Sequence, residues 1–219
     1  IIITKVPASD PRYNDYETIA SFFASEPSSC GNNYQVYRVY SPNGQPYTNS
    51  LILNKKVLVP IVSGSGSNWN DSALAVYEQA LPGYEIIGIY GSGSAPWQTT
   101  DALHCRTKGI ADRCMLHINH IPLSGQQPNQ LQYSIDARIV SFCDSLVYND
   151  SVMLHYKVNQ GAIQSLTMLN NGNGNYQGLI PGQNPGDTIS YCISAADNSG
   201  RKEWHPFIGM QDPHNFIID

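Results

Sequence analysis

Charge is what this chain has least of. Asp, Glu, Lys and Arg together make up 13% of its 219 residues, about half the roughly 25% of an ordinary soluble domain. Twelve basic side chains stand against seventeen acidic ones, a net charge of −5. No stretch gathers the lysines and arginines that a phosphate backbone demands, so nucleic acid is excluded as a partner. Long hydrophobic runs are missing too. The most apolar segments, 1–3 and 51–62, are short or broken by Lys55 and Lys56, far below the roughly 20 residues of a membrane span. That predicts no membrane-crossing helix, and nothing in the chain reads as a targeting signal. The five cysteines, Cys30, Cys105, Cys114, Cys143 and Cys192, lack the CxxC spacing of a zinc ribbon and cannot all pair within the chain.

What the sequence does hold is turn and strand chemistry: 18 Gly, 14 Pro and 14 Tyr. At this length one large domain or two small ones can bury about 70% of the unfolded surface. Few charges with abundant Tyr, Asn, Ser and Gly fit an exported protein.

The first part of the chain reads as α/β. Positions 1–6 form a buried strand, after which Asp10-Pro11 suits the cap and first position of a helix carrying Tyr16, Ile19, Ala20 and Phe23 at helical spacing. Positions 34–40 resume a strand. A strand pair then spans 50–53 and 57–62 across Asn54-Lys55-Lys56, Asp71 caps a second helix with Leu74, Tyr77 and Leu81 on one face, and 84–90 is a strand. Strand, helix and strand thus occur twice, the second time behind a hairpin, as in a strand-strand-helix-strand repeat. Such repeats close into rings and rarely stand alone below about three units. With about one and a half units here, and three isoleucines at the very start, the sequence predicts a preceding segment. From about 131 onward helical periodicity disappears. Short strands at 133–142, 152–158, 165–169, 176–179 and 188–195 predict an all-β sandwich. The expected domains are 1–130, α/β, and 131–219, all-β, with a strand at 113–122 assigned to the first.

Cys105 stands out among candidate reactive groups, because Trp97, Asp101, His104 and Arg106 surround it near the glycine-rich run 91–94. Reactive thiols favour polar, partly cationic surroundings, although a half-buried strand cysteine is the plainer reading. On a strand, adjacent side chains point to opposite faces, which argues against His104 as its base. Cys114, His117 and His120 have zinc-ligand chemistry, but strand alternation puts His117 on the opposite face from the other two. Asn49 reads as a turn residue or as a polar group at a strand end facing a cleft. Asp197-Asn198-Ser199-Gly200 is a plain hairpin turn rather than a calcium loop.

Two segments carry a resemblance: Pro46-Tyr47-Thr48-Asn49-Ser50-Leu51-Ile52-Leu53-Asn54 and Thr100-Asp101-Ala102-Leu103-His104-Cys105-Arg106-Thr107. Together with 81–88 and 194–202 they closely resemble the bacterial peptidylarginine deiminases of oral-pathogen type, within the agmatine deiminase-like guanidino-group-modifying family. The resemblance implies the last units of a five-fold α/β propeller followed by an immunoglobulin-like sandwich. It implies that Cys105 is the nucleophile, Asn49 an active-site asparagine and Thr100 a substrate-contacting position, with no cofactor and no catalytic metal. The substrate implied is an arginine-containing peptide or protein, and the setting the outside or surface of a bacterium. The family also uses a His-x-Asp segment and an earlier Asp. None of the six histidines, His104, His117, His120, His155, His205 and His214, is followed two positions later by Asp. The resemblance therefore predicts that these groups lie upstream, in an N-terminal part of the same enzyme that acts as partner to this chain. Two other readings stand beside this one: a hydrolase of small free guanidines, and a catalytically silent piece whose sandwich binds a partner or surface.

Overall fold

The computed structural model describes residues 1–28, 33–143 and 145–219; Cys30 lies outside them. The chain forms two compact units, Ile1–Ile110 and Ala111–Asp219.

In the first unit the order is β1 (Ile2–Lys5), α1 (Tyr13–Ser25), β2 (Tyr37–Tyr40), β3 (Leu51–Leu53), β4 (Lys56–Ile61), α2 (Asn70–Ala80) and β5 (Glu85–Tyr90). β1 pairs with β2 in parallel across α1, and β4 pairs with β5 in parallel across α2, while β3 adds antiparallel to β4. The strand-helix-strand order read from periodicity is present twice. Asn54 turns the β3–β4 hairpin at φ 53°, a left-handed conformation that asparagine tolerates better than most residues.

Two cap expectations are corrected. Asp10 does not cap α1; its carboxylate accepts from the Arg12 backbone N–H at 2.8 Å and pairs with the Arg12 guanidinium, forming the turn before the helix. Those bonds hold the Asp10 carboxyl down at about 2. Asp71 lies inside the first turn of α2, where the helix dipole favours an anion. The side chain that ties this helix start down is Asn70, buried, which donates to Val62 O at 2.9 Å and accepts from Tyr47 Oη at 2.9 Å. The core of the unit gathers Val39, Tyr47, Val57, Val59, Ile61, Ala73 and Tyr77.

The second unit is all β: β6 (Leu116–His120), β7 (Gly125–Gln127), β8 (Gln132–Ser141), β9 (Met153–Val158), β10 (Gln164–Thr167), β11 (Leu169–Gly172), β12 (Asn175–Pro181), β13 (Thr188–Ala196), β14 (Lys202–His205) and β15 (His214–Ile218). One sheet runs β11-β12-β8-β6, the other β10-β9-β13-β15-β7 with β14 also on β13. Their inner faces form one core, Ile135, Ile139 and Ile180 meeting Leu154, Tyr191, Ile193 and Phe216. It is a β-sandwich. The stretch 111–130, expected with the first part, supplies β6 and β7 to this unit, because β6 completes the edge beside β8. A disulfide joins Cys114 to Cys143. Among the described residues, no helix is long and apolar enough to cross a membrane.

Candidate active site

Asn49 ends a turn closed by its own N–H to Pro46 O at 2.9 Å. The turn is anchored from beneath. Tyr47 is fully buried, and Tyr77 Oη donates to Tyr47 O at 2.8 Å. Burial pushes both phenols up to about 12, so they remain neutral donors. Asn49 is thus a turn residue, as its neighbours suggest, and its side chain is nonetheless aimed at a thiol.

That thiol is Cys105, 56 positions later. Asn49 Nδ2 donates to Cys105 Sγ at 2.9 Å, and Asn49 Oδ1 accepts from the Cys105 backbone N–H at 3.2 Å. The amide therefore clamps both the side chain and the main chain of the cysteine. Asn49 O accepts from the His104 N–H at 3.2 Å, fixing the neighbouring peptide too. Cys105 Sγ donates to Thr100 O at 3.4 Å. Asn49, Thr100 and Cys105, named as candidates from sequence, come together in space.

Cys105 does not sit on a strand. Arg106 N donates to Ala102 O at 3.1 Å, so residues 102–106 make a single turn pinned by the buried Ala102 and Leu103, and Thr107 Oγ1 donates to Leu103 O at 2.9 Å just beyond it. The strand-alternation argument against His104 accordingly has no basis. The segment leading into this turn is held by Arg106. Its guanidinium pairs with Asp101 at 2.9 Å, donates to Ala95 O and Pro96 O at 3.2 Å each, and lies 5.0 Å from the Trp97 ring centre. The bond from Arg106 lowers the Asp101 carboxyl. Trp97 Nε1 in turn donates to Ile89 O at 2.7 Å, tying the loop to β5. Trp97, Asp101 and Arg106, neighbours of Cys105 in sequence, thus act as a clamp on the loop, a role that sequence proximity does not reveal.

Accessibility separates the two described free thiols. Cys105 is exposed, whereas Cys192 is buried and its thiol is pushed up to about 12 by burial. A thiolate is the reactive form, so Cys192 is inert. The zinc grouping dissolves: Cys114 is consumed by the disulfide, and His120 is buried with Nδ1 on Asp136 O at 2.7 Å and Nε2 on Tyr191 Oη at 2.9 Å. The loop at Asp197 is the plain turn expected, its carboxylate taken by Ser199, Ser141 and the Arg201 N–H.

The model of the Porphyromonas-type peptidyl-arginine deiminase family matches residues 1–110, the whole first unit with the Cys105 cluster in it. The chain belongs to that family. A second model, carbohydrate binding module family 56, matches residues 136–202 within the sandwich. Among solved structures, the Br derivative of BhCBM56 is 15% identical, with TM-score 0.29, covering 50% of this chain and 96% of that one. Murine CRIg is 8% identical, with TM-score 0.28, covering 47% of this chain and 96% of that one. The endo-beta-1,4-mannanase from Thermotoga petrophila is 10% identical, with TM-score 0.32, covering all of this chain and 47% of that one. At these scores none of the three bears on fold or function.

Proposed function

We propose that this deiminase-family chain carries the nucleophile of a peptidylarginine deiminase. The observation that supports the reading is the three-way meeting of an exposed thiol, a side-chain amide donating to its sulfur, and a backbone carbonyl facing it. A guanidinium keeps its proton throughout the physiological range, its pKa exceeding about 12, so it presents N–H donors and an electrophilic central carbon. In this reading Cys105 attacks that carbon as thiolate, and Asn49 Nδ2 stabilises the anionic sulfur before attack. Thr100 O, released from the thiol proton, accepts a guanidinium N–H. The tetrahedral adduct expels ammonia, leaving an amidino-cysteine. Water then adds to the same carbon, the C–S bond breaks, and peptidyl citrulline leaves with the thiol restored.

Two further parts are required: a general acid and base for ammonia and water, and carboxylates to grip the guanidinium. Asp101, the carboxylate nearest Cys105 in sequence, is engaged by Arg106. We therefore assign these parts to a His-x-Asp segment and a further Asp supplied by an N-terminal part of the enzyme. The two strand-helix-strand pairs would be closing units of a five-fold α/β propeller, and the sandwich would be immunoglobulin-like. Scarce charge and the Cys114–Cys143 disulfide support a setting outside or on the surface of a bacterium.

The test is citrulline and ammonia release from a peptide ending in arginine. It is run on this chain alone and on the chain extended by the stretch of a family enzyme that carries His-x-Asp. Product from the extended protein, none from its Cys105→Ala variant, and none from agmatine as substrate is the expected outcome. No product from the extended protein, or an undiminished rate in Cys105→Ala, overturns the reading.

The match of a carbohydrate binding module model to 136–202 favours a second role for the second unit, attachment to a glycan. The sandwich would then hold the catalytic unit near a sugar-coated surface. Retention of the chain on immobilised polysaccharide, and its loss when residues 111–219 are removed, checks this role.

A further inference from the structure

A groove of about 520 Å³ lies on the outer face of the sheet formed by β6, β8 and β12. Its floor follows from strand alternation. On β8 the exposed Ser134, Asp136 and Arg138 alternate with the buried Ile135, Ala137 and Ile139, so every second side chain stands outward. Register then sets the rows. Asn119 of β6, Arg138 of β8 and Asn175 of β12 are direct neighbours across the sheet, and two residues along, Asp136 faces Gln177. Gln177 Nε2 donates to Asp136 Oδ1 at 3.2 Å and to Ser134 Oγ at 3.0 Å, and Ser134 Oγ donates to Asp136 Oδ2 at 2.9 Å. These bonds fix the carboxylate while leaving it further lone pairs. Arg138 is exposed and lines the groove, and among the described residues it has no ion pair.

We propose that this groove binds a neutral polysaccharide, the inference resting on the glycan-attachment role argued above. One carboxylate and one guanidinium cancel, which disfavours a strongly anionic or cationic ligand. Amides, a hydroxyl, a carboxylate and a guanidinium at neighbouring strand positions form a fixed comb of donors and acceptors. Sugar hydroxyls, each both donor and acceptor, match such a comb. A peptide added as a strand needs a free sheet edge, and here the edges are β11 and β6, whereas the groove lies on the face. Asp136, Arg138, Asn175 and Gln177 all fall inside the stretch matched by the carbohydrate binding module model.

Affinity electrophoresis of the full chain in gels containing dextran, laminarin, xyloglucan or galactomannan, with heparin as the anionic polymer, tests the assignment. The expected result is retardation by at least one neutral polymer and not by heparin. Arg138→Ala and Asp136→Asn should each weaken it at least tenfold, and Lys157→Ala, on the other sheet, should leave it unchanged. Near-ultraviolet circular dichroism of the variants should match the parent; if Asp136→Asn alone alters it, Arg138→Ala and Asn119→Ala carry the test. Retention by a neutral polymer that none of the groove variants weakens overturns the groove and leaves the attachment role standing. Failure of every neutral polymer to retard the chain overturns both, and retardation by heparin alone overturns the neutral class.

Discussion

One amide holds Cys105 by two atoms. The bond from Asn49 Nδ2 to Sγ at 2.9 Å becomes charge-assisted when the thiol ionises. Asn49→Ala removes both the bond to Sγ and the hold on the Cys105 main chain, so it should slow alkylation of Cys105 by iodoacetamide at fixed pH by roughly two- to tenfold, read by mass spectrometry of the labelled peptide. An unchanged rate would mean that the amide merely packs there. Arg106 acts at one remove. Because one planar guanidinium meets Asp101, two backbone carbonyls and the Trp97 ring, lysine cannot replace it. Both Arg106→Ala and Arg106→Lys should raise hydrogen exchange across 95–101 while leaving that of β4 unchanged; equal exchange in the parent and both variants would mean that Arg106 does not hold the loop. At this scale the sequence was informative about residue type and poor about geometry. Cys105, Asp101 and Arg106 were marked by being polar neighbours in a charge-poor chain, but Asn49, 56 positions away, looked like any turn asparagine until the resemblance singled it out.

Among elements, legibility followed burial. β4, α2 and β8 were readable because one or both faces are buried and their apolar residues recur at period 2 or 3.6. β11 escaped because all four of its residues are exposed and only its backbone pairs with β12. β14 and β15, likewise short, carry polar side chains among their apolar ones. The boundary between units was misplaced for a related reason: β6 alternates like any half-buried strand, and alternation alone does not say which sheet a strand joins. The disulfide was hidden altogether, since with five cysteines spacing does not settle pairing. It closes a loop of sequence separation 29 at the start of the second unit. Replacing both Cys114 and Cys143 by Ser should lower the stability of the sandwich by roughly 3 kcal/mol, measured by urea unfolding of the full chain. Reductant should bring the parent close to the double variant and leave the variant itself unmoved.

For the molecule as a whole, acid should act on the sandwich through its histidines. His214 Nε2 lies 2.9 Å from His205 Nδ1, and His120 packs against both rings, with His117 also facing His205. Burial, then His205 and His120, lowers His214 to about 3, and burial first of all lowers His205 and His120. A histidine lowered on folding binds its proton more readily when unfolded, so the contribution of His214 is fully present above about pH 6.5 and is lost as pH falls toward about 3, at up to about 1.4 kcal/mol per pH unit; His205 and His120 are lowered in the same direction and add to the loss. The denaturation midpoint of the second unit should fall between pH 6.5 and 4, and the fall should be shallower in His214→Gln. A midpoint flat across that range would contradict the neutral, buried state of the cluster.

Attack of Cys105 on the guanidinium carbon would leave a covalent adduct of defined mass. Rapid acid quenching of the N-terminally extended protein during turnover of a peptide ending in arginine, followed by intact-mass and fragment analysis, reads it. The expected result is an adduct on Cys105 equal to the peptide less one ammonia, absent from Cys105→Ala and enriched at short quench times. Citrulline formation with no adduct on Cys105, and at the same rate in Cys105→Ala, would contradict it.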